Sequence, residues 1–221
     1  MEIAENIKNV KNDLGEGVDL VAVSKTKPAS DIQEAYDAGQ RIFGENKARE
    51  MEAKAEELPK DIEWHMIGHM QSNKVKYIAP FVSLIHSVDK LSLLKEINKR
   101  AKQNDRKIKV LLQMYIAKEE SKFGMDEEEV EELLSSEAFK NYENIEIVGL
   151  MGMATFTDND DRVRKEFAYL KTLFDELKSK QFANQDSFTV LSMGMSGDYK
   201  TAIEEGTNMV RIGSMIFGER V

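Results

Sequence analysis

Eight short apolar runs, rich in β-branched residues, alternate with amphipathic stretches along this chain. They are Asp19–Ser24, Arg41–Gly44, Trp64–Ile67, Leu84–Val88, Lys109–Ile116, Ile145–Met153, Thr189–Met193 and Met209–Ile212. Runs such as Val110-Leu111-Leu112 are apolar at consecutive positions. A strand solvated on one face would alternate, so these strands are buried on both faces, as in a parallel sheet covered by helices. Strands alternating with helices over this length predict an α/β fold, a (β/α)8 TIM-type barrel. An open doubly wound sheet is the alternative. Ala4–Leu14 reads as an extra helix before the first strand. No linker, repeat or low-complexity segment interrupts the pattern, so residues 1–221 are expected to form a single domain.

Helix boundaries follow from local chemistry. Ser30 with Gln33 reads as a capping box, and Gly39 closes that helix. Asp89 is expected to cap Leu91–Lys102, and Asp126 with Glu129 gives a second box. Asp161–Lys180 carries Val163, Phe167, Leu170, Phe174 and Leu177 at helical spacing. Asp198–Glu205 is short and ends at Gly206. The acidic run 126–132 is the solvated start of a helix, where the dipole favours negative charge.

Composition removes several functions. The chain has 221 residues and a net charge of −9. That charge argues against nucleic acid, whose backbone wants a basic face. The absence of cysteine excludes disulfides and thiolate catalysis. No apolar run approaches the ~20 residues of a membrane span. Met-Glu-Ile-Ala-Glu-Asn shows no signal-peptide pattern, so a cytoplasmic protein is expected. Of the three histidines, His65 and His69 have the count of a metal pair. Their strand-to-loop location gives no third ligand, and no metal is expected. His65 is read as packed inside the barrel.

Polar and glycine-rich motifs collect where barrel enzymes keep their sites, at the carboxyl ends of the strands. Lys25 follows Leu20-Val21-Ala22-Val23-Ser24 and precedes Thr26-Lys27-Pro28. A lysine ending a buried strand is expected to have a lowered pKa, and a neutral amine suits Schiff-base chemistry with a carbonyl. Gly44-Glu45-Asn46 and Gly68–Lys74 follow the second and third strands. Gly194-Met195-Ser196-Gly197-Asp198 and Gly213-Ser214 follow the last two. Phosphate sites recur in those two loops of barrels, and glycine lets backbone N–H groups approach an anion. Arg211 sits in an otherwise apolar final strand and needs a partner. That partner is either an interior carboxylate such as Glu45 or the ring of a cofactor. Lysine, carbonyl and phosphate together fit pyridoxal 5′-phosphate (PLP) on Lys25. They fit equally a class I aldolase acting on a sugar phosphate.

Several segments together resemble the pyridoxal phosphate homeostasis protein family. They are Ala22–Pro28, Phe43–Asn46, Trp64–Gly68 with Gln71–Lys74, Leu191–Ser196 and Val210–Ser214 with Ile216–Gly218. The resemblance implies one barrel like the amino-terminal domain of alanine racemases. It implies a PLP-binding protein of vitamin B6 and amino-acid balance, with no catalytic residues. On this resemblance Lys25 forms the Schiff base. Ser196, Gly213 and Ser214 take the phosphate, Ser214 standing where threonine is common. Arg211 faces the pyridine nitrogen, and Asn46 is a polar neighbour of the cofactor. Lys27 and Lys122 are read as surface lysines. Alanine racemases draw a second base, a tyrosine, from a β domain that this chain lacks, so two-base racemisation is not expected. A monomer that passes PLP to PLP-dependent apoenzymes is the implied arrangement.

Overall fold

A computed structural model describes residues 2–117 and 124–218 of the chain. Lys122 lies outside them. Within them, eight parallel strands close into a barrel in sequence order. They are β1 (Asp19–Val23), β2 (Ile42–Glu45), β3 (Glu63–Met66), β4 (Leu84–Val88), β5 (Ile108–Gln113), β6 (Ile145–Met151), β7 (Val190–Met195) and β8 (Met209–Ile212). The last strand returns to the first, with Leu20 opposite Val210 and Val21 opposite Arg211. Closure removes the open-sheet alternative. Two runs end earlier than the sequence suggests, β5 at Gln113 and β6 at Met151. Beyond β5, among the described residues, the ladder continues as a single bridge from Met114 to Met125.

The helices are α1 (Ile3–Leu14), α2 (Ala29–Asp37), α3 (Ala48–Glu57), α4 (Val75–Ile78), α5 (Leu91–Gln103), α6 (Glu127–Ser135), α7 (Glu137–Lys140), α8 (Asp160–Ser179), α9 (Tyr199–Glu204) and α10 (Ser214–Phe217). The extra helix α1 buries Ile3, Ile7, Val10 and Leu14, one stripe at helical spacing. Asn6 Nδ2 ties it to the carbonyl of Ile216 at 3.0 Å, which fixes α10 beneath the last loop.

Of the three predicted caps, one forms. Asp126 and Glu129 exchange the two hydrogen bonds of a capping box. Ser30 does not cap α2; Pro28 holds the cap position, two residues earlier. The proline ring fixes φ, here at −68° with the extended ψ of a cap residue, so the boundary forms there. Asp89 does not cap α5 either. Lys90 holds the cap position, and Asp89 turns to His69 Nδ1 at 3.5 Å.

The core has two shells. Val21, Leu84, Leu111, Val148, Met151 and Met209 meet inside the barrel. Ala22, Phe43, Trp64, Val110, Leu191 and Val210 point outward into the helix layer. The β5–β6 register shifts beside Gly149, where a Cβ would lie 1.7 Å from the Val190 carbonyl oxygen. Only glycine lets the strands approach there.

Candidate functional site

Strand alternation decides which side chains reach the top of the barrel. Val23, Ile67, Met153 and Arg211 face its inside and line a cavity of about 550 Å³ at the carboxyl ends of the strands. All six residues singled out from the sequence line this same cavity: Lys25, Asn46, Ser196, Arg211, Gly213 and Ser214. They come from four separated segments. Pockets elsewhere, between α6 and α8 and at the opposite end of the barrel, contain none of them.

The loops after β7 and β8 form one corner of the cavity. The N–H of Gly213 donates to Ser196 Oγ at 3.4 Å, which joins the two loops. Neither the N–H of Gly197 nor that of Ser214 donates to a protein acceptor among the described residues. A Cβ on Gly197 would meet nothing within 4 Å, so the corner is open over its backbone. Two N–H groups, two hydroxyls and an open approach are the donor set an anion wants. Asp198 shares the corner. Its Oδ1 accepts the Met195 N–H at 2.6 Å, and burial raises its pKa against the pull of that bond and of Arg211.

Arg211 lies at the floor, 4% exposed. Its Nη1 donates to Ser192 Oγ at 2.6 Å and its Nη2 to the Gly152 carbonyl at 3.0 Å. Glu45 is not its partner. Glu45 follows Gly44 in the alternation and faces the helix layer, the opposite side of the sheet from Arg211. Burial lowers Arg211 to about 10, with Asp198 acting to raise it, so the guanidinium stays charged at neutral pH. Its two hydrogen bonds use two of five N–H donors. Beneath it Ser192 Oγ lies 3.1 Å from His86 Nδ1, and His86 Nε2 lies 3.0 Å from His65 Nδ1. Burial holds His65 at about 3 and His86 well below its ordinary value, His86 being lowered further by His65 and Arg211. Both rings are neutral. A consistent assignment passes donation from Arg211 through Ser192 and His86 to His65. The sequence placed His65 inside the barrel, but nothing in it paired His65 with His86.

Lys25 is half-buried and stands two residues beyond β1, in a turn rather than at the end of a buried strand. The next residue, Thr26, has φ 66°. Lys27 lines the cavity too, but its Nζ donates to the Phe217 carbonyl at 2.8 Å and so ties this turn to α10. Asn46 presents a buried Oδ1 with no hydrogen-bond partner among the described residues. Gly68 lets its backbone sit close, since a Cβ there would be 2.5 Å from the Asn46 carbonyl oxygen.

Two supports escaped the sequence reading. Thr155, on the cavity wall after β6, gives its N–H and hydroxyl to Glu166 at 2.7 and 2.8 Å. Glu166 lies on α8, four residues from Arg162, which also pairs with it. Behind Lys25, the Lys54 ammonium is buried among Ser24, Glu45 and Glu50. The i,i+4 spacing of Glu50 and Lys54 was visible, but such pairs are usually solvated. Among the described residues no group of three or more His, Asp or Glu side chains could hold a metal, and no helix is long and apolar enough to cross a membrane.

Comparison with known proteins places this geometry among relatives. The family model for the alanine racemase N-terminal domain matches residues 1–221. The pyridoxal phosphate homeostasis protein of Aquifex aeolicus is 42% identical over 202 residues, covering 91% of this chain and 86% of that one. The protein of the same name from Pongo abelii is 40% identical over 211 residues, covering 91% of this chain and 76% of that one. PipY of Synechococcus elongatus, solved with PLP bound, superposes with a TM-score of 0.87 at 37% identity, covering 98% of this chain and 100% of its own. Without PLP the TM-score is 0.90. The alanine racemase of Bartonella henselae shares the fold at a TM-score of 0.73 and 16% identity, matched over 58% of its length and 99% of this chain.

Proposed function

This chain belongs to the alanine racemase N-terminal domain family, among its pyridoxal phosphate homeostasis proteins, and from that premise we propose that it binds PLP and serves vitamin B6 and amino-acid balance as a carrier rather than an enzyme. One observation carries the reading. An amine, a buried guanidinium and two N–H groups without protein acceptors line the same 550 Å³ cavity. That volume lies within the ordinary range for a small-molecule ligand.

Bound PLP supplies an aldehyde able to exchange Schiff bases with amines. Lys25 would be the amine that meets that aldehyde. The hydroxyls of Ser196 and Ser214 and the N–H groups of Gly197 and Ser214 would receive the phosphate, beside Gly213, whose N–H joins the two loops through Ser196. Arg211 would offer an unused N–H to the pyridine nitrogen. Its charge is retained at neutral pH, so it donates a hydrogen bond without giving up a proton. The ring nitrogen would then stay unprotonated, and the ring would be a weak electron sink. Asn46 would accept a hydrogen bond from the ligand on its unpartnered Oδ1.

The acid–base inventory also favours a carrier. No tyrosine or histidine is among the described residues lining the cavity. Tyr199, on the neighbouring helix, spends its hydroxyl on Asp13 at 2.7 Å. A tyrosine base of the racemase kind is therefore not among the described lining residues, whose other titratable side chains besides Lys25 and Arg211 are Lys27, Asp158 and Asp198. The same reading makes residues 1–221 one cytoplasmic, monomeric domain that hands PLP to apoenzymes, and size-exclusion chromatography checks the monomer.

The test is a titration of purified protein with PLP, followed by a screen of amino acids for racemisation. A visible absorption band without turnover is expected. Turnover at rates typical of enzymes, ~1 per second or faster, would sink the carrier reading. Absence of any band after PLP addition would sink the ligand.

A further inference from the structure

One buried cation holds the backbone on both sides of Lys25. Lys54 reaches from α3 with its side chain 10% exposed. Its Nζ donates to the Ser24 carbonyl at 2.9 Å, to Glu45 Oε1 at 2.8 Å and to Glu50 Oε1 at 2.8 Å. That uses all three ammonium hydrogens. Glu50 Oε1 in turn accepts the Thr26 N–H at 2.6 Å. The peptide unit before Lys25 therefore hangs on Lys54 directly, and the one after it hangs on Lys54 through Glu50.

This clamp has something to hold. Thr26 is β-branched and sits in the left-handed region at φ 66°. Such a residue stays there only when its surroundings over-determine it. Ser24 Oγ closes the cluster on Glu45 Oε1 at 2.6 Å. Glu45 ends β2 and Asn46 follows it, so the cluster also sets the Lys25 turn against the strand that carries Asn46.

We propose that Lys54 is a positioning residue for Lys25, holding the Ser24–Thr26 turn in the conformation that directs the Lys25 amine into the cavity. The inference rests on the reading that Lys25 receives PLP.

The test uses Lys54→Met, Glu50→Ala and the double variant Lys54→Met/Thr26→Gly in the full chain, with two readouts. The first is PLP affinity well below the unfolding temperature. The second, taken without PLP, is hydrogen exchange of the Thr26 amide by NMR. Loss of the clamp releases a strained threonine, so affinity should fall by about tenfold. Thr26 exchange should rise by a similar factor. Glycine adopts the left-handed conformation freely, so the double variant should recover part of the affinity. A merely structural ion pair predicts a lower melting temperature with unchanged affinity and exchange, and that result would overturn the proposal. If Lys54→Met does not fold, Glu50→Ala decides, because it removes the Thr26 acceptor and leaves Lys54 on Ser24 and Glu45. Unchanged affinity and exchange in that variant would also overturn it. If the unsubstituted protein binds no PLP, the ligand reading falls, and the exchange measurement alone decides whether Lys54 holds the turn.

Discussion

Acidification from pH 7 to 5 should cost this fold up to about 4 kcal/mol, and two histidines should account for it. His65 is buried, with its pKa held at about 3 by desolvation, and His86 lies well below its ordinary 6.5. In the unfolded chain both regain ordinary values. Below pH 6.5 the unfolded state binds two protons that the folded state refuses, so stability falls as pH falls. Each proton costs about 1.4 kcal/mol per pH unit. Integrated to pH 5 this is about 2 kcal/mol per histidine, a large part of the roughly 5–15 kcal/mol of an ordinary domain. Glu45 and Asp198 have raised pKa values from burial and act in the opposite sense, so the figure is an upper value. Glu50 is lowered, and its contribution is lost only below the ordinary carboxylate range. Urea unfolding at half-unit steps between pH 7 and 5, with linear extrapolation, measures the slope. Replacing His65 by Gln keeps a polar partner for His86 and should roughly halve that slope. A stability independent of pH across the window, or an unchanged slope in His65→Gln, would refute the assignment of two neutral buried rings.

Other substitutions separate packing from binding. Gly149→Ala puts a methyl carbon into the Val190 carbonyl, 1.7 Å away, and should cost more than about 4 kcal/mol or prevent folding, read by circular dichroism. Leu111 is fully buried in the inner shell, and Leu111→Ala should cost about 2–5 kcal/mol by urea unfolding while leaving the PLP absorption band in the folded protein. Gly197→Ala adds a methyl group where nothing lies within 4 Å, so the melting temperature should hold or rise slightly. The same methyl covers the approach to the corner proposed for the phosphate, and PLP affinity measured by titration should drop about tenfold or more.

Most of the barrel could be read from the chain because parallel strands buried on both faces leave an uninterrupted apolar signature. The Val110-Leu111-Leu112 run of β5 carries it plainly. The ends of the strands were less legible, since Met114 and Met153 are as apolar as the strand residues before them. Caps misled where a stronger local preference competed, as Pro28 did with Ser30. The six cavity residues were legible through glycine, serine and lysine at strand ends and through the family motifs. The supports were not. Lys54, Glu50 and Glu166 look like ordinary solvated helix residues, and only the close approach of α3 and α8 to the strand ends buries them. The Arg211–Ser192–His86–His65 chain depends on which inward-facing residues share a level inside the barrel. No run within a single strand encodes that.

The central claim is that Lys25 is the residue that receives PLP. Incubation with PLP, reduction with borohydride and peptide mapping by mass spectrometry test it directly. The account predicts a reduced pyridoxyl group on Lys25 and its loss in Lys25→Ala. Modification of Lys27, Lys54 or Lys122 in its place, or of no lysine at all, would contradict it.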